Sequence, residues 1–225
     1  MDGNRRWARS VGLSDITLGH RYGAQRAEDL LGWCEAVGIG HVTVYLCSTE
    51  NLARRNDGEV AALMEVIEHG LARRLATGHW RVHTAGMLDA LPSSTAQALK
   101  HAVTQTATLR TGLHVTLAVG YGGQQEVVDA IRDLLLERAS EGESPAEVAA
   151  SLTTDDIARH LYTPGHPDPE LIIRTSGEQR MSNFLLWQSV NADLHVCDAY
   201  WPAFREIDFL RALRSFTARR QRDQR

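Results

Sequence analysis

His41-Val-Thr-Val-Tyr-Leu-Cys47 is a short run, rich in β-branched residues and mostly apolar. It reads as a strand covered on both faces, the kind that parallel sheets contain. Just before it, Tyr22, Ala27, Leu30, Leu31, Cys34 and Val37 recur at helical spacing, and Gly38-Ile39-Gly40 offers a left-handed stop. A helix between His20 and Val37, with one buried face, therefore delivers the chain into a buried strand. The alternation then repeats: helix from about Glu59 to Leu75, strand near Trp80 to Thr84, helix from about Ser94 to Thr108, strand His114 to Val119, helix from about Gln124 to Arg138. Ser144-Pro145-Ala146-Glu147 has the form of a capping box with proline in the first turn and opens another helix. Leu171-Ile-Ile173 is a further buried strand, and Ile207 to Arg219 closes the chain as an amphipathic helix. This order predicts an α/β fold, a parallel central sheet with helices on both faces. No linker, repeat or low-complexity block interrupts it, so residues 1–225 read as a single domain.

Composition agrees and excludes several classes. A chain of 225 residues, 43% of them hydrophobic, can bury a sizeable core. No apolar run approaches the roughly 18 residues that span a bilayer, and no charged-then-apolar leader opens the chain. The reading is a soluble cytoplasmic protein with no integral membrane association. A net charge of -4 argues against nucleic acid as a partner. Cys34, Cys47 and Cys197 are odd in number, lack paired metal-ligand spacing and read as small buried groups. Lys100 is the only lysine, so the arginines are judged by position and not by number.

Ligands of open parallel sheets sit beyond the carboxyl ends of the strands. Three polar segments fall there: Ser48 to Arg55, Gly120 to Gly123, and Arg174 to Ser182. In the last, Arg174 and Arg180 flank a Ser176-Gly177 turn, and Ser182 can cap the element that follows. Two guanidinium forks, a hydroxyl and free backbone N–H groups suit an anion with several oxygens, such as a diphosphate. The other reading is a surface loop whose arginines pair with Asp168, Glu170 or Glu178; the strand-end position favours the anion site.

Met1-Asp2-Gly3-Asn4 is by itself a turn. With Arg5 and Arg6 beside it, it can also bind phosphate, Asp2 holding a divalent cation. Neither a Gly-x-x-x-x-Gly-Lys-Ser/Thr loop nor Gly-x-Gly-x-x-Gly is present, which removes the usual supports for nucleotide hydrolysis and for a Rossmann dinucleotide site. The absent Gly-x-Ser-x-Gly elbow argues against a serine hydrolase built on Ser48. His20 at a helix start can donate to an anion or simply cap. The remaining histidines show no metal-ligand spacing, and His160 and His166, flanking a Thr163-Pro164-Gly165 turn, read as ordinary groups.

MDGNRRWA at residues 1–8, GHRYGA at 19–24, STENLARR at 48–55, VGYGG at 119–123 and RTSGEQRMSNFLLWQ at 174–188 resemble, in order, the motifs of the cis-prenyltransferases. These are the Z-isoprenyl, undecaprenyl-type diphosphate synthases, and the STENL and GEQR variants are most similar to actinobacterial short-chain members resembling Z,E-farnesyl diphosphate synthase. The resemblance implies that isopentenyl diphosphate is condensed with an allylic diphosphate, forming a cis double bond and releasing diphosphate. By it, Asp2 is the key carboxylate and places Mg2+ on diphosphate oxygens. Gly3, Asn4, Arg5, Arg6 and His20 line the allylic diphosphate, with Trp7 packing beside it. Arg174, Arg180 and Ser182 hold isopentenyl diphosphate. Ser48, Glu50, Asn51 and Arg54 belong to a loop that closes over both substrates, with Asn51 and Ser48 helping to remove the proton; for Glu50 the alternative is a helix-start cap. The family also implies a homodimer.

Leu46 stands two residues before Ser48, so regular alternation aims both side chains at the substrate tunnel. A leucine where long-chain members carry a small residue implies a short product of about fifteen carbons, the pocket shape setting the length. The alternative is an ordinary core leucine. Where relatives read Tyr-x-Glu-Leu, this chain has Asn191-Ala192-Asp193-Leu194, which makes Asp193 the second metal carboxylate, one methylene shorter. The segment after Asn51 has an additional residue and lacks a proline. Relatives lead into the Asp-Gly-Asn turn by an apolar strand, which implies either that the native chain extends upstream of Met1 or that this chain lacks that strand. The rival readings are irregular coupling or cyclisation of prenyl diphosphates, suggested by the altered 191–196 segment, and a non-catalytic partner of an active paralogue.

Overall fold

The computed structural model describes residues 1–54, 57–110 and 112–223; Arg55 lies outside them, and so does the Arg54 side chain. The expected strands form as β1 (His41–Ser48), β2 (Arg81–Ala85), β3 (His114–Tyr121) and β4 (Leu171–Arg174). A further strand, β5 (Asp193–Val196), forms where no apolar run announced one. All pairings are parallel. β3 lies between β1 and β2, with His114 paired to both His41 and Arg81, and it is buried along its length from Val115 onward.

One continuous sheet was expected, and the described residues instead form two ladders, β1-β3-β2 and β4-β5. The outer edge of β1 and the residues of β4 line one cleft. The chain start bridges its carboxyl-terminal end: the Met1 nitrogen donates to the Tyr45 carbonyl at 3.4 Å, and the Asp2 N–H to Thr175 Oγ1 at 3.1 Å.

Strand alternation sets the layers. Val44, Val82, Val115 and Leu117 enter the main core with Leu31, Ile67, Leu71, Leu99 and Phe209. That face is covered by α2 (Leu18–Ala36), by a helical stretch from Asp57 to Ala76 whose middle, Val66–Ala72, is wound as a π-helix, and, once α1 (Asn4–Ser10), α3 (Thr49–Arg54), α4 (Asp57–Glu65) and α5 (Arg73–Ala76) are counted, by α6 (Ser93–Thr106). Ala85, Ala118 and Tyr121 face the other way, against Leu185, Phe184 and Tyr162. There α7 (Gly123–Ser140) is tied to the sheet by buried Glu126, which accepts from the Tyr121 hydroxyl, from the Tyr162 N–H at 2.9 Å and from Gln188 Nε2 at 3.0 Å. The Ser144 capping box forms at the head of α8 (Pro145–Ser151). α9 (Thr154–Arg159) and α10 (Glu206–Asp223) complete the α-helices among the described residues, and Leu88–Ala90 and Trp201–Ala203 form short 3-10 turns.

Two local expectations change. Residues after Ser48 fold as α3, not as an extended loop, because the Ser48 hydroxyl accepts the Asn51 N–H at 3.0 Å and caps it. No helix or strand follows Ser182 directly; it sits in a turn with φ of 50°, next to Asn183 at 60°.

Candidate active site

The cleft between β1 and β4 encloses about 1260 Å³. Its wall is charged at the carboxyl ends of the strands, where Asp2, Arg5, Arg6, His20, Arg174 and Arg180 line it. Behind it the wall is mixed: Leu46, Ile173, Phe209, Leu213 and Phe216 supply apolar surface, and His41, Thr43, Thr116, His166, Asp168 and Glu170 line it as well.

The Asp2-Gly3-Asn4 turn is held by contacts that only these residues permit. Gly3 has φ of +91°, and a Cβ there would lie 2.6 Å from Tyr200 Cδ1. Its carbonyl accepts the Trp7 N–H at 2.8 Å and starts α1. α1 then lies directly on α2, because a Cβ at Gly19 would stand 2.3 Å from the Asn4 carbonyl oxygen and one at Gly23 2.4 Å from Asn4 Oδ1. Trp201 locks the turn from the far side: its N–H donates to the Asp2 carbonyl at 2.9 Å and its indole to the Gly23 carbonyl at 2.7 Å. Trp7 packs edge-on against Tyr22 at 4.9 Å.

The arginines converge on this turn and are matched by carboxylates. Arg174 donates to Asp2 Oδ2 at 3.0 Å and to the Arg180 carbonyl at 2.6 Å. Asp2 Oδ1 accepts the Gly3 N–H at 2.8 Å and lies 3.6 Å from Arg6. Arg6 donates to Ser176 Oγ at 2.7 Å, approaches Glu178 at 3.8 Å and lies over the Tyr200 ring at 5.4 Å. Arg5 pairs with Glu59 at 2.8 Å, and Arg180, 75% exposed, with Glu178 at 3.4 Å. Asn4 Oδ1, Arg5 Nε and Arg174 Nε are buried without a hydrogen-bond partner among the described residues. Buried polar atoms are normally satisfied, so these orphans are places for a ligand or water. Glu50 accepts Asn183 Nδ2 at 3.0 Å, and its own N–H, together with that contact, holds its carboxyl below the usual range. Both the cap and the cleft readings of Glu50 therefore have a geometric basis, since it also lines the cavity with Ser48 and Asn51.

Asp193 is not brought to this group. It starts β5 opposite Leu171, whereas Arg174 pairs with Val196 at the other end. Three strand steps, about 10 Å, separate the two ends, and the Asp193 carboxylate lies 3.2 Å from Arg219 of α10. Within one chain the second-carboxylate assignment fails on that register. The alternation argument for Leu46 also fails in its premise: the β1–β3 register shifts between Tyr45 and Cys47 and again between Cys47 and Ser48, and Leu46 packs against the main core. Both Leu46 and Ser48 nevertheless line the cleft.

Sequence reasoning overlooked Thr175, whose hydroxyl donates to the Asp2 carbonyl at 3.2 Å, and Asn183, which joins α3 to α7 through Glu50 and the Gln124 N–H at 2.8 Å. It also passed over Ser176, Tyr200 and Trp201. Thr175 and Ser176 stand inside the Arg174 to Ser182 segment already singled out, so position alone pointed to them. Tyr200 and Trp201 carried no signal, since aromatics after a strand are usually core.

Over residues 1–224 the chain matches the model of a family described as "Putative undecaprenyl diphosphate synthase". It is 62% identical over 225 residues to an isoprenyl transferase of Streptomyces fradiae, covering 99% of this chain and 87% of the relative. It is 54% identical over 222 residues to a (2Z,6E)-farnesyl diphosphate synthase of Thermobifida fusca (strain YX), covering 99% and 86%. The fold superposes with a TM-score of 0.87 and 30% identity on lavandulyl diphosphate synthase from Lavandula x intermedia in complex with dimethylallyl diphosphate, covering 96% of this chain and 92% of that one. A probable undecaprenyl diphosphate synthase from Campylobacter jejuni shares the fold, with a TM-score of 0.75, 23% identity and coverage of 87% and 88%.

Proposed function

The chain belongs to the undecaprenyl diphosphate synthase family of cis-prenyltransferases, and on that premise we propose that it condenses isopentenyl diphosphate with a short allylic diphosphate to give a short-chain Z-prenyl diphosphate of farnesyl length. The observation that carries this reading is one cavity with a cationic and acidic rim at the strand ends and, behind it, a set of apolar side chains, Leu46, Ile173, Phe209, Leu213 and Phe216. That shape suits an amphiphile with a diphosphate head and a hydrocarbon tail.

In this reaction the allylic carbon–oxygen bond breaks and the diphosphate leaves with the electron pair. The new carbon–carbon bond forms to the terminal alkene carbon of isopentenyl diphosphate, and a proton is lost from the adjacent position. The main task is therefore to stabilise charge on the leaving group. Asn4, Arg5, Arg6 and His20, with the bare backbone at Gly3, take the allylic diphosphate, and Trp7 supports that wall. Arg174, Arg180 and Ser182 take the second diphosphate. Ser48 and Asn51, at the head of α3, stand where the proton is removed, and Glu50 with Arg54 closes the site and excludes water.

Asp2 fits a magnesium ion on its donor chemistry: it is a hard carboxylate, 41% exposed at the rim of the cleft, and such ions keep one or two carboxylates and complete their shell with phosphate oxygens and water. When bound, Mg2+ would neutralise the leaving diphosphate. Asp193 is left out of this set.

Residues 1–225 act as one domain, and the enzyme works as a cytoplasmic homodimer. No described helix is long and apolar enough to cross a membrane. Val128, Leu135, Leu186 and Val190 are exposed, and they offer an apolar surface for a second copy. A non-catalytic role is disfavoured because Asp2, Asn51, Arg174, Arg180 and Ser182 are all present. Irregular coupling of two allylic units is the second reading, and the solved lavandulyl diphosphate synthase in complex with dimethylallyl diphosphate supports an allylic diphosphate as a ligand of this fold. Purified protein with Mg2+ is to be incubated with isopentenyl diphosphate and dimethylallyl, geranyl or farnesyl diphosphate in turn, and with each allylic diphosphate alone. Elongation with a cis bond only when isopentenyl diphosphate is present supports the proposal. Product from an allylic diphosphate alone moves the assignment to coupling, and no diphosphate release in any mixture refutes both.

A further inference from the structure

The end of the sheet remote from the diphosphate rim carries a cluster that prenyl transfer does not use. β1 and β3 both begin with histidine, and the register sets His41 beside His114. On β2, His83 pairs with Thr116, two residues beyond His114 and on the same face. His166 reaches that face from the segment between α9 and β4. The ligand nitrogens of His83, His114 and His166 all lie within 4.8 Å of one another. His83 Nε2 is 3.2 Å from His114 Nδ1, and the Thr116 hydroxyl is 3.5 Å from His166 Nδ1. The His41 ring is 4.7 Å from that of His114 and 5.6 Å from that of His166.

A hydrogen-bonded stack accounts for this only in part. The His83–His114 contact uses one proton between two rings, and the Thr116 contact is at the limit of hydrogen-bond length. A four-coordinate zinc holds imidazole nitrogens at 2.0–2.1 Å, which sets neighbouring ligand atoms roughly 3.4 Å apart. The His83–His114 pair already has that spacing, and the third nitrogen must close by at most about 1.4 Å, within reach of a side-chain rotation. We propose that His83, His114 and His166 form a transition-metal site, with His41 or water in the fourth position, that takes Zn2+ and related first-row ions and rejects Mg2+. Imidazole donors suit zinc, copper and nickel, whereas magnesium demands oxygen.

The protonation state is favourable. Burial, reinforced by the neighbouring histidines and Arg81, lowers His83 to about 4, and burial also lowers His41 and His166, so these rings are neutral at pH 7 and able to ligate. Arg81, paired with His114 in the register, is the cation that opposes the ion. The position suggests a clamp. His83 and His114 belong to the β1-β3-β2 ladder, whereas His166 precedes β4, so a bound ion would pin the entry to the second ladder against the first. Seven strand steps, roughly 23 Å, separate His41 from Ser48, so the cluster lies far from Asp2, at the opposite end of the same cleft, which His41 and His166 also line.

The test uses full-length, tag-free protein stripped with chelator and then dialysed. Zinc sulfate is titrated calorimetrically with millimolar Mg2+ present, and Co2+ is followed by its visible absorption. The expected result is one equivalent of Zn2+ bound at micromolar affinity or tighter, a four-coordinate Co2+ spectrum, and a raised melting temperature. His83→Ala and His166→Gln should each weaken binding by roughly tenfold or more, while Asp2→Asn should leave it intact. Circular dichroism checks that the variants fold, and His166→Gln, outside the sheet, decides the matter if His83→Ala does not. Absence of zinc binding against Mg2+, or binding unchanged in His166→Gln, overturns the proposal and leaves the prenyl transfer reading untouched.

Discussion

Gly19→Ala separates the positioning of the site from the stability of the fold. The new methyl carbon would stand 2.3 Å from the Asn4 carbonyl oxygen and 3.2 Å from Ala8 Cβ. The oxygen is backbone and cannot rotate away, so α1 must retreat by about 1 Å to regain van der Waals separation. Overpacking of this size costs roughly 1–3 kcal/mol, offset by the roughly 0.5–1 kcal/mol that alanine gains over glycine in a helix. The net loss is about 0–2.5 kcal/mol, a fall in melting temperature of no more than about 10 °C at roughly 2–4 °C per kcal/mol. Activity should suffer more, because α1 begins at Asp2-Gly3-Asn4 and a 1 Å misplacement of reacting groups can cost about 100-fold. Gly32→Ala in the same helix is the control, since nothing lies within 4 Å of its would-be Cβ. That variant should melt about 1–4 °C higher with kcat/KM unchanged. Thermal melts and initial rates on both proteins test the account. Wild-type kcat/KM in Gly19→Ala, together with a melting point raised as in Gly32→Ala, would refute the α1–α2 contact as the device that places Asp2.

Asp2→Ala should eliminate turnover while the protein remains folded; near-normal rates in a diphosphate-release assay would remove Asp2 from the chemistry. Leu46→Ala should lengthen the product, read by chromatography of the dephosphorylated prenols, and an unchanged distribution would assign Leu46 to packing alone. Glu126→Ala removes the acceptor shared by Tyr121, Tyr162 and Gln188 and should cost about 2–4 kcal/mol in denaturant unfolding; a loss under about 1 kcal/mol would mean that water replaces the carboxylate. The lowered His83 supplies a pH test: its ordinary value is 6.5 and its folded value about 4, so the unfolded state binds the extra proton. Its contribution is fully present above 6.5 and is lost as pH falls toward 4. Urea midpoints measured without metal should therefore drop across that window, and His83→Asn should flatten the drop; equal slopes in both proteins would contradict it.

Regular elements were legible where burial imposed a period. The β1 and β3 runs and the amphipathic faces of α2 and α6 fall close to their expected limits because each buries one stripe or two faces. What escaped was set by contacts distant in sequence. β5 is half-polar and exists because β4 supplies its ladder. α3 depends on a serine hydroxyl used as a cap, so the same residues also read plausibly as loop. Asp193 shows the same limit: its residue type suits a metal, but within one chain the β4–β5 register sets it at the end of the ladder away from Arg174. His41, His83, His114 and His166 had no local spacing to advertise them, since their proximity follows from strand order and from a turn that returns His166 to the sheet.

The charge arrangement at the rim explains why a cleft with so many arginines is stable without substrate. Arg174, Arg6, Arg5 and Arg180 each have a carboxylate within 4 Å, so none of these four guanidinium forks stands bare. Under the proposed function, a diphosphate entering at Arg174 competes for N–H groups that Asp2 now occupies. Binding is then an exchange of one anion for another at nearly constant local charge, which limits the desolvation cost of gathering cations in one place. The exchange also frees the Asp2 carboxylate at the moment a divalent cation is required. By linkage, whatever favours diphosphate at Arg174 favours the cation at Asp2 to the same degree, and the reverse. Under the proposed function the Asp2–Arg174 pair acts as a latch between the two binding events, and the buried Nε of Arg174, without a hydrogen-bond partner among the described residues, is a donor for the incoming oxygen.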